Sequence, residues 1–191
     1  MKKNKPLCLH PFINFTLEPG GHLRPCCATY HSMETVDQIS DIKEFWINSE
    51  AMNDMRNLMF KDELDTKICF ACVRNEKNNL LSKRIRYSNK FKNIPIEKIS
   101  ETPTLLDMDV AFSRTCNLQC ATCNSLFSSK WFKDDRKRME LNIENNSVLE
   151  GAVGNNPVLT EDQVNQLIDM AENVKKVVIK GGEPFLESNF K

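Results

Sequence analysis

No run of about 18 apolar residues occurs in this chain, so no membrane-spanning helix is expected of it. A surplus of either charge is also missing. Lysine plus arginine and aspartate plus glutamate number 26 each, so no global field draws the chain to nucleic acid or to an anionic membrane surface. Neither a membrane nor a nucleic acid is therefore an expected partner. The basic start Met1-Lys2-Lys3-Asn4-Lys5-Pro6 lacks an apolar secretion core behind it, being followed by Cys8, His10 and Pro11. A cytoplasmic protein is expected. There thiols are held reduced, which makes disulfides the less expected use of its eight cysteines. Internal repeats and low-complexity tracts are absent as well.

The chain does have an ordinary globular composition, 40% apolar and 27% charged, and at 191 residues it is long enough for one large domain or two small ones. Its cysteines fall on both sides of a seam near Pro95 to Pro103, which separates residues 1–100 from residues 101–191. In the first region Phe12 to Leu17 alternates as a strand, and Glu18-Pro19-Gly20-Gly21 signals a turn, predicting a hairpin that returns through Leu23 to Cys26. Ser49 reads as the N-cap of a helix with Met52, Met55, Leu58 and Met59 on one face. The methionine stripe is read as core packing, with Phe45 and Trp46 in the same core. Further on, Arg74, Lys77, Lys83, Arg84, Arg86, Lys90 and Lys92 face only Glu76 in charge. This stretch reads as a solvated helix face, or as a dock for an acidic partner or peptide.

The second region opens with Thr104 to Phe112, short and apolar enough for a buried strand. Ser125 to Met139 has helical length and composition, and Leu141 to Pro157 turns polar, a loop or surface insertion. Thr160 and Gln163 form a capping box for a helix burying Val164, Leu167, Ile168 and Ala171, and Val177-Val178-Ile179 is a short buried strand. This order of strand, helix, helix, strand predicts a parallel sheet with right-handed crossovers. Ligands of such sheets collect at the carboxyl ends of the strands. Both chemically distinctive motifs lie there: Cys116, Cys120 and Cys123 follow the first strand, and Gly181-Gly182-Glu183-Pro184 follows the second.

Thiolates spaced C-x3-C-x2-C on a tight loop can bind three irons of a 4Fe-4S cube that needs four ligands, leaving one iron open to a small bidentate ligand. Gly181 and Gly182 would let backbone approach a substrate closely, and Glu183 can accept a hydrogen bond from an ammonium group. Zinc is the competing use of three cysteines. The string Phe112-Ser113-Arg114-Thr115-Cys116-Asn117-Leu118-Gln119-Cys120-Ala121-Thr122-Cys123 resembles the cluster loop of the radical S-adenosylmethionine (radical SAM) superfamily. Gly181-Gly182-Glu183-Pro184 resembles that family's methionine-binding turn.

The resemblance implies an oxidoreductase-type enzyme in which Cys116, Cys120 and Cys123 bind a 4Fe-4S cluster, whose open iron is chelated by S-adenosyl-L-methionine. Reductive cleavage of that sulfonium yields a 5'-deoxyadenosyl radical that abstracts a substrate hydrogen. Gly181, Gly182 and Glu183 would orient the methionyl ammonium. Thr122, at a position often aromatic in the family and packed near adenine, is the cofactor-facing residue there. The resemblance further implies an electron donor such as flavodoxin or ferredoxin. It assigns no catalytic acid or base, because the family's substrate-facing strands lie beyond Glu183. The implied fold is α/β, the start of a partial (β/α) barrel in residues 101–191.

Residues 1–100 read as a small cysteine-rich α+β module. Cys8, Gly21, Cys26 and the later Cys69-Phe70-Ala71-Cys72 make a four-thiolate site easy to build from Cys8, Cys26, Cys69 and Cys72. Cys27 can replace Cys26, since spacing does not rank neighbours. His10 and His22 read as structural, although either can ligate a metal. This portion resembles the SPASM or twitch module that carries an auxiliary 4Fe-4S cluster in many radical SAM proteins, which implies a peptide or protein substrate. A zinc knuckle is the alternative here. The chain stops at Lys191, one strand after the crossover, with a parallel edge unpaired. Two other readings therefore stay open: an iron–sulfur or zinc-binding module without turnover, and a fragment completed by a partner chain.

Overall fold

Pro11 delays the first strand. The structure, a computed structural model, describes residues 7–29, 31–61, 63–95, 99, 102–141, 143, 152–154, 156 and 159–186. Helix α1 (His10–Ile13) has Pro11 in its first turn, where a missing N–H costs nothing, and β1 (Asn14–Glu18) starts only after it. The expected hairpin follows. Gly20 and Gly21 take φ of +95° and +78°, left-handed backbone that favours glycine, and the Gly21 N–H closes on the Glu18 carbonyl at 3.1 Å. β2 (His22–Arg24) returns antiparallel to β1, and β3 (Glu34–Thr35) pairs antiparallel with β2.

Four helices come next: α2 (Ile42–Asn48), α3 (Glu50–Phe60), α4 (Phe70–Lys77) and α5 (Lys83–Lys90). Ser49 caps α3 as its sequence predicts, its hydroxyl accepting from the Met52 N–H at 3.3 Å. β4 (Asp107–Ala111) then lies parallel beside β1, and β5 (Lys176–Lys180) lies parallel beside β4. The β4 to β5 connection carries α6 (Phe132–Glu140) and α7 (Glu161–Met170). The protein is thus mixed α/β, with one open mixed sheet ordered β3-β2-β1-β4-β5. β1 and β4, drawn from opposite sides of the Pro95–Pro103 seam, are direct neighbours. Among the described residues no helix is long and apolar enough to cross a membrane.

Strand alternation sorts the two faces of this sheet. Phe15, Leu17, Leu23, Met108 and Val110 point to a core shared with Ile42, Trp46, Met52 and Leu167. The Trp46 indole N–H donates to the Asn14 carbonyl at 2.9 Å, docking α2 on β1. A second core joins Leu9, Phe12, Ile13, Met55, Met59, Tyr87 and Leu106. The methionine stripe of α3 is core packing as read, split between the two clusters.

Several expectations change. The helix read from Ser125 to Met139 forms only from Phe132, because Asp135 draws back Ser125 by its N–H at 2.9 Å and its hydroxyl at 2.7 Å and a short 3-10 turn fills Ser129–Trp131. The strand read as buried at Val177 to Ile179 sits at the sheet edge, with Val177 and Ile179 exposed. In α7 the capping box forms, yet Ile168 faces outward and Met170 takes the buried position beside Leu167. Most of Leu141 to Pro157 lies outside the described residues. The basic stretch does form helix faces with Arg74, Lys77, Lys83, Arg86, Lys90 and Lys92 exposed, whereas Arg84 is buried against Glu76 at 2.6 Å.

Candidate metal centres

The amino-terminal thiols converge on one cavity. Cys8 precedes α1, Cys26 follows β2, Cys69 is the N-cap residue of α4 and Cys72 lies in that helix's first turn. All four line the cavity together with His10, and Cys27 is not among its lining residues. His22 sits instead on β2 opposite Glu18. Burial pushes the Cys8 thiol far up, Cys26 up to about 12 and Cys69 up to about 11, and neighbouring thiols add to each rise. Backbone hydrogen bonds at His10, Ala28 and Asp65 work the other way on these three sulfurs. Metal-free Cys8, Cys26 and Cys69 are therefore protonated at neutral pH, and a cation that replaced the protons would recover the desolvation cost.

The surroundings suit the anionic group that would result. The amino end of α4 bears two of the thiols, and the first residues of α5, Lys83 and Arg84, line the same cavity. Helix amino ends and cations both favour thiolates. The donor set fits a four-thiolate metal group. The enclosed space is about 20 Å³, room for one water-sized sphere, so a cube requires the walls to part. Cys26 lies outside the strands and helices, whereas Cys69 is tied to α4 by the Val73 N–H, which donates to its carbonyl at 3.0 Å. Among the described residues, no group of three His, Cys, Asp or Glu side chains stands ready-made around a single ion. His10 is neutral at pH 7, burial lowering its pKa to about 4. Asn14 lies near enough to favour the charged ring, without closing a hydrogen bond to either ring nitrogen.

The second set of thiols occupies the loop leaving β4. Hydrogen bonds pin this loop to the segment before α6: the Cys116 N–H donates to Ser129 Oγ at 3.3 Å, Ser128 Oγ to the Leu118 carbonyl at 3.1 Å and Trp131 Nε1 to the Cys120 carbonyl at 3.2 Å. The Leu118 N–H donates to Cys116 Sγ at 3.4 Å, and the Cys123 N–H to the Cys120 carbonyl at 3.0 Å. Burial raises the Cys123 pKa, and Cys116 and Cys120 raise it further, so the three sulfurs share one electrostatic neighbourhood. Cys120 and Thr122 are exposed.

The glycine turn that leaves β5 lies directly against the root of this loop. The Gly182 N–H donates to the Ser113 carbonyl at 3.3 Å and the Glu183 N–H to the Thr115 carbonyl at 2.7 Å. A Cβ at Gly181, whose φ is +133°, would stand 2.7 Å from the Ser113 carbonyl oxygen. One at Gly182 would overlap the Thr115 carbonyl. The glycines thus make room for protein backbone, a role their sequence did not disclose. Glu183 Oε1 accepts from the Phe185 N–H at 3.3 Å, opening the 3-10 turn Pro184–Leu186.

Two buttresses were not legible as such. Arg114, inside the cysteine string, is buried and donates to the Leu126 carbonyl at 3.0 Å and the Pro19 carbonyl at 3.2 Å, tying the loop to the β1–β2 turn. Asn156, from the polar stretch read as a loop, accepts from the Arg114 N–H at 2.6 Å and donates to Thr115 Oγ1 at 3.1 Å. Only the arginine offered a signal, by standing among the ligands.

The two sets of thiols sit toward opposite ends of β4, whose five residues span roughly 15 Å. Along the face turned from the Trp46 core, Lys176 pairs with Asp107 at 3.1 Å at the amino end. Lys180 reaches Glu18 at 2.7 Å and Asp109 at 3.0 Å at the carboxyl end. A surface hollow of about 460 Å³ runs along α6 from Phe132 to Glu140 and has no cysteine in its lining. No family model, curated protein or solved structure matches this chain. Its resemblance to radical SAM motifs rests on its own residues.

Proposed function

We propose that this chain is a radical SAM iron–sulfur protein, with a 4Fe-4S cluster on Cys116, Cys120 and Cys123 and S-adenosylmethionine oriented by the Gly181-Gly182-Glu183 turn. The observation that carries this reading is the packing of the glycine turn onto Ser113 and Thr115, at the carboxyl ends of two adjacent parallel strands. Ligands of α/β sheets gather at such places. When bound, the cluster and its sulfonium donor supply reductive carbon–sulfur cleavage and a carbon radical for hydrogen abstraction. The chain's own work is to present three thiolates on a loop pinned by Ser128, Ser129 and Trp131, to hold an ammonium near Glu183, and to limit access of water. In this reading the sheet begins a partial (β/α) barrel, and residues 1–100 form a SPASM or twitch module with an auxiliary 4Fe-4S cluster on Cys8, Cys26, Cys69 and Cys72. A peptide or protein is the substrate, and a flavodoxin or ferredoxin supplies the electron.

Anaerobic reconstitution of the full chain tests this directly. The expected product is a brown protein with two iron–sulfur clusters that releases 5'-deoxyadenosine from S-adenosylmethionine under reductant. Replacing Cys116, Cys120 and Cys123 by alanine should abolish that release and halve the iron. A brown wild-type protein that releases none would refute turnover by this chain alone, in favour of a carrier module or a fragment completed by a partner chain.

A second reading concerns the amino-terminal thiols alone. Their cavity of about 20 Å³ is closer in size to one tetrahedral ion than to a cube, although the thiols must still close on that ion. Zinc rather than iron in the triple-alanine protein, isolated without air, would establish it.

A further inference from the structure

Among the described residues, neither ring nitrogen of His10 has a hydrogen-bond partner, although the residue is only 2% exposed. Native proteins rarely leave buried polar atoms unpaired, and those that remain mark a missing ion, ligand or water. The ring cannot easily turn away, because it stacks on Tyr87 with centroids 3.7 Å apart and planes 16° from parallel. It lines the cavity that holds Cys8, Cys26, Cys69 and Cys72.

We propose that His10 belongs to this metal site, its imidazole N–H donating a hydrogen bond to a sulfur of the iron–sulfur group on those four cysteines and thereby setting the group's reduction potential. The proposal rests on the iron–sulfur reading of that cavity. Four thiolates complete the ligand set of a cube, which leaves the imidazole the role of donor. An N–H pointed at a cluster sulfur withdraws charge and stabilises the more negative, reduced state, so it raises the potential. His10 is in this sense a positioning and tuning residue.

The test uses the full chain with Cys116, Cys120 and Cys123 replaced by alanine, so that only the amino-terminal group titrates. His10→Phe keeps a flat ring against Tyr87 and removes the donor. It is expected to retain the iron and sulfide content while its midpoint potential falls, and His10→Gln, which restores an N–H, should recover part of the fall. An unchanged potential in the phenylalanine variant with its cluster intact overturns the proposal. A second measurement needs no substitution at His10: with ¹⁵N-histidine incorporated and the group reduced, pulsed paramagnetic resonance should show a weak nitrogen coupling. A strong coupling would mean direct ligation and none would mean no contact, and either result overturns the hydrogen bond. Zinc in place of iron before any change at His10 sinks the iron–sulfur reading itself, a separate failure.

Discussion

Gly182 leaves the least room for change near the triplet. Its N–H bonds Ser113, the next N–H bonds Thr115, and a methyl group would collide with a carbonyl that belongs to the loop being supported. Overpacking of this kind costs roughly 1–3 kcal/mol, so Gly182→Ala should lower the urea midpoint by a corresponding amount and slow release of 5'-deoxyadenosine in reconstituted protein. An unchanged midpoint would mean that the turn can lift away from the loop. Lys180, two residues earlier, is constrained by charge instead. Burial works to lower its pKa, but hydrogen bonds and charge from Glu18 and Asp109 overcome this and leave it raised above 10.5. The lysine is favoured charged in the folded chain, so its contribution is complete below pH 10.5 and fades as pH climbs through the raised value. Lys180→Met should destabilise by roughly 1–3 kcal/mol near neutral pH, moderated by partial solvent access and by Arg24 at 3.8 Å from Glu18. Urea denaturation near neutral pH and again well above pH 10.5 checks this, the gap narrowing as the lysine loses its proton.

Helix starts in this chain are written locally, and α7 shows it most plainly. Thr160 Oγ1 accepts from the Gln163 N–H at 3.2 Å while Gln163 Oε1 accepts from the Thr160 N–H at 2.9 Å. Thr160→Ala should cost about 0.5–2 kcal/mol, measured by thermal or urea unfolding, with the sheet otherwise intact. The same local legibility gave the Ser49 cap and the Gly20-Gly21 turn, since each depends on residues only a few positions apart. It failed where a distant group intervened. Asp135 diverts Ser125 and postpones α6, and the β-branched run in β5 reads as buried although no strand covers its outer edge among the described residues. The thiol cavity was legible as a ligand list from cysteine spacing, but the choice of Cys26 over Cys27 depends on how β2 ends and α4 begins. The His10 ring nitrogens, without a hydrogen-bond partner among the described residues, carry no sequence signal at all, because an unpaired buried nitrogen is a property of packing.

The pairing of β1 with β4 gives the two cysteine-bearing regions a common sheet and a common core. Asn14 lies opposite Asp107 and Leu17 opposite Val110, and the core around Trp46 mixes Phe15, Leu17 and Ile42 with Met108, Leu167 and Met170. Arg114 adds a tie from the triplet loop to the β1–β2 turn. Long-range parallel pairing has no local signature, so the seam at Pro95–Pro103 looked like a boundary in composition while the sheet runs through it. Damage on one side should therefore be felt on the other. Leu17 is fully buried in β1, and Leu17→Ala should cost roughly 2–5 kcal/mol. The protein's two tryptophans let each side report separately: Trp46 lies in α2, and Trp131 is hydrogen-bonded to the Cys120 carbonyl in the triplet loop. In Trp46→Phe and Trp131→Phe backgrounds, the remaining indole should show the same shift of the urea midpoint when Leu17 is truncated. Coincident shifts follow if one cooperative sheet carries both thiol sites. A shift seen by Trp46 but not by Trp131 would mean that the triplet loop and its glycine turn hold together without the amino-terminal strand.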